Sequence, residues 1–442
     1  MTDVVVVGGG VAGLVAARDL AEGGAHVVLV EAGERLGGMI RRHTVAGLDL
    51  DMGAESFATR TDAVERLAIE LGLGNDVVSP DPRGAWLMTR DGRTAPIPQT
   101  GFLGIPGSPM AADVLAVVGQ GGGLRAQMDS LLPSPVGARA QSLGALVRKR
   151  MGERVLDDLV VPVAGGVYST HPDQLDPDRV APGLRAALQR EGSLARAVLA
   201  LRSRSAAGSA VQGIRGGIAR LVDELVADLE TYRVDVRTGT RATAVERFAV
   251  ETVAADGTRE RLPAQHVLAS TADPGRTAAA DRTGIELVTL VVDQPELDAG
   301  PRGTGMLVHP EAAGVGAKAL THATVKWPWL AEAAAGRHVL RLSYATAPHD
   351  PVTGDDGVGT SLPVDPEDTV GARAVRDATA LLGVPVTADR VQGAARVRWY
   401  GPDLTAAGLA EGVVGIGETS SGRGLAGIVA AARASAARIL GS

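Results

Sequence analysis

Val4-Val-Val-Val-Gly8-Gly-Gly10-Val-Ala-Gly13-Leu-Val-Ala-Ala-Arg-Asp-Leu-Ala-Glu22, followed by Gly23-Gly24-Ala-His26-Val-Val-Leu-Val-Glu31, reads as strand, glycine turn, helix and second strand. Val4 to Val7 is a short, wholly apolar run of the kind that is buried on both faces of a parallel sheet. The apolar spacing from Val11 to Glu22 suits a helix, and Gly23-Gly24 ends it. Gly8-x-Gly10-x-x-Gly13 thus lies between a buried strand and the helix it opens, the context that dinucleotide binding requires. Gly8 permits the tight turn, Gly10 lets backbone approach a pyrophosphate, and Gly13 allows close helix packing. The helix N-terminus, with Gly9, Gly10, Val11 and Ala12 at the turn that opens it, then faces phosphate charge. Glu31, at the end of the second strand, is placed to accept hydrogen bonds from the adenosine ribose. NAD and FAD both fit this unit.

The chain has 442 residues, too many for one compact core, so two or three domains sharing a cofactor are expected. With 45% hydrophobic and 21% charged residues it has the make-up of a globular enzyme. Aromatic residues are only 2%, so cores must be built from Ala, Val and Leu. A net charge of -7 argues against a nucleic-acid partner. The absence of cysteine excludes disulfides, thiolate metal sites and a redox-active dithiol, so redox chemistry must belong to a cofactor. The histidines, His171 included, show no metal-ligand spacing, and no metal is expected. Neither a membrane span nor a signal peptide is read, which makes a cytoplasmic protein the expectation. Peripheral contact with a membrane or with another enzyme stays open.

Further along, Gly101 to Ser209 is dominated by helical patterns broken by glycine and proline clusters. A helix from Ile218 to Leu229 and a strand from Arg233 to Arg237 follow. Val288 to Val292, Gly305 to Val308 and His338 to Tyr344 suggest an antiparallel sheet. Val413 to Ile416, a glycine-rich turn and a helix from Ile428 to Leu440 close the chain.

Past Glu31, the string Ala32-Gly-Glu-Arg35-Leu-Gly37-Gly38-Met39 and then Asp51-Met-Gly53-Ala54-Glu55-Ser56 resembles the extended fingerprint of the FAD-dependent amine oxidase superfamily. The resemblance implies that Ala32, Arg35, Gly38 and Met39 help hold pyrophosphate and ribose, and that Gly53, Ala54, Glu55 and Ser56 approach the flavin. A second glycine turn, with Gly417, Glu418, Arg423, Gly424 and Leu425, precedes the last helix and suits the flavin side of the cofactor. No second strand-glycine-helix-acid unit is evident for a nicotinamide nucleotide. Electrons are therefore expected to pass from substrate to flavin to an acceptor.

Phe102-Leu-Gly-Ile-Pro106, Gly166-Val-Tyr168-Ser-Thr-His-Pro172, Gly213-Ile-Arg-Gly-Gly217, Gly303-Thr-Gly305 and Lys326-Trp327-Pro328 resemble segments of the protoporphyrinogen/coproporphyrinogen oxidase family, most of all the coproporphyrinogen III oxidases of Gram-positive bacteria. The resemblance implies an α/β architecture: a Rossmann-type FAD-binding domain, a mixed-sheet substrate domain and a helical insertion. The FAD-binding domain would take residues 1–75, 210–280 and 391–442, the substrate domain 76–100 and 281–390, and the helical domain 101–209. It also implies six-electron oxidation of a porphyrinogen, with oxygen reduced to hydrogen peroxide. Arg60, Tyr168 and Lys326 would meet substrate, Trp399 the flavin, and the backbone of Val245 the adenine. No catalytic base is singled out, since hydride transfer to flavin N5 needs none. The chain departs from the family pattern after Trp399, where it reads Tyr400-Gly-Pro-Asp-Leu-Thr405, and at Ala432, where glycine is usual. Protoporphyrinogen IX oxidation, amine or carotenoid-type oxidation on the same scaffold, and a non-catalytic flavin-binding or heme-pathway partner protein are the alternative readings.

Overall fold

The structure, a computed structural model, describes residues 2–168, 170–204, 211–270, 284–346, 360–361, 369–400, 409–417 and 424–441. The opening motif folds as strand β1 (Val4–Val7), helix α1 (Val11–Glu22) and strand β2 (Val27–Val30). β1 is central in a five-stranded parallel sheet ordered Asp235–Arg237, β2, β1, His266–Ala269, Val414–Gly415. Both strands of the opening motif are wholly buried, because side chains alternate between two covered faces. Val4 and Val6 meet Leu14 and Val15 of α1, Leu221 and Leu225 of helix Ala219–Thr231, and Val429, Ala432 and Ala436 of helix Leu425–Leu440. Val5 and Val7 meet Ala242, Val250 and Leu262 of the antiparallel strands Thr240–Glu246, Ala249–Ala254 and Arg259–Pro263. Ala432 is fully buried here, so the interface accommodates its methyl group.

The strand expected from Arg233 begins only at Asp235, because Arg233 has φ 58° and turns the chain. The last helix begins three residues earlier than expected, at Leu425.

An eight-stranded sheet runs Thr360–Ser361, Val391–Tyr400, Gly284–Val292, His338–Ala345, Ala319–His322, Gly305–Val308, Trp86–Met88, Thr94–Pro96. It is antiparallel except where Gly305–Val308 lies parallel to Trp86–Met88. That pair joins two distant parts of the chain, so no hairpin turn fixes its sense. The faces of this sheet can be told apart by period-two burial. Leu340, Leu342 and Tyr344 pack with Ala374, Ala378 and Leu381 of helix Thr369–Leu382. Val339, Val291 and Ala395 pack the other way, with Val45, Leu48 and Leu50 of the hairpin Arg42–Val45/Leu48–Asp51. Arg341 and Trp399 share the parity of this second face, which looks toward the parallel-sheet unit.

The segment from Ala112 to Arg204 is helical, as its pattern predicts. Its apolar core of Leu143, Leu146, Val147, Leu156, Leu159, Leu184 and Leu188 encloses an ion pair, Arg150 with Asp129. The Arg150 guanidinium is completely buried and also donates to the carbonyls of Asp129, Pro133 and Gly192, each at 2.9 Å. Asp129 Oδ2 accepts from Ser193 Oγ at 2.7 Å and from the Ala195 amide at 3.0 Å. Nearly every polar valence of the pair is thereby used, the condition under which a buried pair is tolerated.

Candidate functional site

The glycine turn from Gly8 to Gly13 leads straight into α1. Helix packing there is close enough that a Cβ on Gly13 would collide with the Gly8 carbonyl oxygen. The N-cap is Gly10, no side chain caps the helix, and its first turn carries no acid. The first intrahelical bond runs from the Leu14 amide to the Gly10 carbonyl at 2.9 Å, which leaves the amides of Val11, Ala12 and Gly13 outside the helical ladder. Gly37 and Gly38 lie alongside: the Gly37 amide donates to the Gly9 carbonyl at 2.8 Å. A Cβ on Gly10 would meet nothing nearer than Gly38 Cα at 3.9 Å. A side-chain-free wall with free amides fits a pyrophosphate.

The Glu31 carboxylate is oriented by two amides, Gly9 N at 2.6 Å and Gly33 N at 2.7 Å, one on each oxygen. Each oxygen retains acceptor capacity, which suits the vicinal hydroxyls of a ribose. Ala32 and Arg35 are exposed just beyond it, and Met39 is 47% exposed. Val245 lies in strand Thr240–Glu246, half-buried against the core under β1 and β2.

Gly53 to Ser56 follows the hairpin. Gly53 lies under Trp399: a Cβ there would meet the Met39 carbonyl oxygen at 2.6 Å and Trp399 Nε1 at 3.4 Å. Trp399 Nε1 donates to the Met52 carbonyl at 3.2 Å. Ala54 is exposed, whereas the Glu55 carboxylate is tied on both oxygens. Lys326 Nζ reaches Oε1 at 2.6 Å and Arg341 Nη1 reaches Oε2 at 2.8 Å. Arg341 Nη2 also donates to the Gly53 carbonyl at 2.7 Å. Burial alone would raise the Glu55 carboxyl, but the Lys326 and Arg341 charges outweigh it and hold it down to about 2. Nearby Asp51 accepts from the amides of Ile218 at 2.9 Å and Ala219 at 3.0 Å, at the start of a helix. Burial pushes its carboxyl up to about 6 in spite of those amides. His43 is half-buried on the hairpin, with both ring nitrogens shut away from water and without a hydrogen-bond partner among the described residues, and it is held down to about 4 by burial and by the Arg341 charge.

The three expected substrate residues fare differently. Arg60 is exposed in the turn after strand Phe57–Ala58, and its guanidinium has no ion pair among the described residues. Lys326 is engaged by Glu55, and its Nζ lies 5.0 Å from the Trp327 ring. Tyr168 ends helix Val161–Tyr168 and its hydroxyl donates to the Val180 carbonyl at 3.1 Å. At the C-terminal turn, Gly417 is buried against the Ser270 carbonyl, and Gly424 N-caps the helix that Leu425 opens. Glu418 and Arg423 lie outside the described residues. No group of three acidic or histidine side chains able to hold a metal occurs among the described residues.

Arg341 and Asp51 enter the site without having been singled out from the sequence as functional. The signal for Arg341 was an arginine inside the apolar strand His338-Val-Leu-Arg-Leu-Ser-Tyr344, since a charge in such a strand must find a partner.

A profile of the flavin-containing amine oxidoreductase family matches residues 11–282, more than half of the chain. The chain belongs to that family. As a member of the flavin-containing amine oxidoreductases it is an FAD-dependent oxidase, with the α/β fold of the family. It is 31% identical to the coproporphyrinogen III oxidase of Mycobacterium leprae, over 97% of this chain and 96% of that one. To the Staphylococcus aureus coproporphyrinogen III oxidase it is 26% identical over 80% of each chain. Among solved structures it resembles one from Exiguobacterium sp. 255-15, described as a candidate protoporphyrinogen oxidase, with a TM-score of 0.78 at 22% identity, covering 99% of this chain and 98% of that one. That likeness shows the fold.

Proposed function

We propose that the chain oxidises coproporphyrinogen III to coproporphyrin III: six hydrogens leave the macrocycle in three two-electron steps, each reducing one oxygen molecule to hydrogen peroxide. The observation that carries this reading is the end-to-end similarity to a relative bearing that name, which spans the cofactor turn and the substrate sheet alike. Bound FAD supplies the two-electron acceptor. The chain's own residues then have two tasks, to orient the macrocycle and to answer its carboxylates. Arg60 suits the second. Its guanidinium lies four residues beyond Ser56, lacks an internal partner among the described residues, and can fork onto a propionate. Lys326 contributes as part of a buried cluster with Glu55 and Arg341, whose two cations and one carboxylate leave net positive charge at that side of the site. Tyr168 lines the approach from the helical segment. The assignment of residues 1–75, 210–280 and 391–442 to cofactor, 76–100 and 281–390 to substrate, and 101–209 to a helical cover belongs to the same proposal, as does a cytoplasmic location. Among the described residues no helix is long and apolar enough to cross a membrane.

The test is a direct comparison. Purified holoenzyme is mixed with coproporphyrinogen III and, separately, protoporphyrinogen IX, and fluorescent porphyrin formation and peroxide are followed. Faster turnover of the former is expected, and equal or reversed preference rejects the substrate. Failure of both porphyrinogens to bleach the flavin under anaerobic conditions rejects the reaction class. Arg60→Ala is expected to raise KM at least tenfold with FAD content unchanged.

A further inference from the structure

Glu55 and Arg341 are 286 residues apart in the chain, and they meet because two different folding units press together at the hairpin. Strand His338–Ala345 turns Leu340, Leu342 and Tyr344 toward helix Thr369–Leu382, so Arg341 must point at the Gly53 to Ser56 segment. Its guanidinium is spent on two distinct acceptors of that segment, the Glu55 carboxylate at 2.8 Å and the Gly53 carbonyl at 2.7 Å. Two donors in a rigid fork fix both the position and the tilt of a peptide, which a single contact cannot do. Lys326, from the short helix Ala323–Lys326, braces the other oxygen of the same carboxylate at 2.6 Å. All three side chains are largely withdrawn from water, with exposures of 14% for Glu55, 17% for Lys326 and 9% for Arg341. A buried cluster of this kind is a poor source of stability when compared with apolar packing, and its best-attested use is to fix one arrangement. What it fixes here is the backbone beneath Trp399.

We infer that Arg341 is a positioning residue for the flavin: through Gly53 and Glu55, and braced by Lys326, it locks the flavin-side loop to the large sheet. The inference rests on FAD binding and on the proposed placement of Gly53 to Ser56 and Trp399 beside the flavin, and not on the identity of the substrate, so a failed porphyrinogen assay would leave it standing.

FAD retention by the holoenzyme tests this. Arg341→Gln is expected to weaken FAD binding at least tenfold, read as released flavin fluorescence on dilution, and to blur the fine structure of the bound flavin's visible absorption band. Arg341→Lys, which keeps the charge but loses the fork, should restore only part of the affinity. Glu55→Gln should weaken binding similarly, and the double variant Glu55→Gln/Arg341→Gln should be little worse than the poorer single one. Should Arg341→Gln fail to fold by circular dichroism, Arg341→Lys and Glu55→Gln carry the same comparison. Wild-type FAD affinity and an unchanged flavin spectrum in a folded variant would overturn the inference, as would full additivity of the two substitutions.

Discussion

Glu31 illustrates how one side chain can be prepared for a ligand by its own backbone. The Gly9 and Gly33 amides hold its two oxygens, so the carboxylate is aimed before a nucleotide arrives and loses little freedom on binding. Glutamine cannot reproduce this, since its amide nitrogen would face one of two N–H donors. Glu31→Gln is therefore expected to weaken FAD binding by about tenfold to a hundredfold, the range for hydrogen bonds to a charged group. Release of flavin fluorescence on dilution measures it, and an unaltered dissociation constant would remove Glu31 from the site. Arg60 is the opposite case, a cation with no internal partner among the described residues, which leaves its fork to an outside anion. The difference between Glu31 and Arg341 also shows what a sequence can disclose. Glu31 acts on residues in its own βαβ unit, whose order is set by local patterns. Arg341 acts on Gly53 and Glu55 across nearly three hundred residues, and no spacing rule reaches that far.

At the scale of elements, β1, α1 and β2 fall where apolar runs and glycines place them, and the helical segment was legible from its own helical patterning. In the large sheet only three strands, those around Val288–Val292, Gly305–Val308 and His338–Tyr344, were legible, and not their pairing: the parallel contact of Gly305–Val308 with Trp86–Met88 depends on tertiary packing alone. Within the helical segment, the Arg150–Asp129 pair ties helix Leu143–Met151 to the 3-10 turn Met128–Leu131 and to the start of helix Leu194–Arg204. Removing one member strands the other charge in a dry core. Asp129→Ala is expected to cost about 3–5 kcal/mol. Hydrogen exchange should accelerate across residues 112–204 while β1 and β2 keep their protection. Unchanged exchange in that segment would show that the pair does not hold the helices together.

The whole molecule has a pH response that can be derived from its buried titratable groups. Burial, chief among the causes, depresses His43 to about 4 and His322 to about 3, and also lowers His309 and His338. A histidine whose folded value lies below its unfolded value of about 6.5 contributes stability that is present above that value. The contribution is lost as pH falls through the folded one. Asp51 acts in the reverse sense: raised to about 6, it favours the folded state more as it protonates. Four histidines oppose three raised carboxyls, Asp19, Asp51 and Asp158, while Glu55, held down to about 2, adds to the histidines' side; each group contributes at most about 1.4 kcal/mol per pH unit, so the balance favours acid lability. The melting temperature is expected to fall as pH drops from 6.5 to 4. His43→Leu should flatten that fall and Asp51→Asn should steepen it. A melting temperature independent of pH in this window would contradict these assignments.

The contact between α1 and the last helix has a temporal side as well. Leu14 and Val15 are covered by Val429, Ala432 and Ala436, and Gly23 packs against Leu440. A ribosome adding roughly 5–20 residues per second releases α1 long before its cover exists, so the nucleotide turn waits on the order of 20–80 s for residues some four hundred positions downstream. During that interval an apolar helix and two apolar strands stand open, and a nascent chain of this design depends on chaperones, or on early docking of Ala219–Thr231, to reach its cofactor.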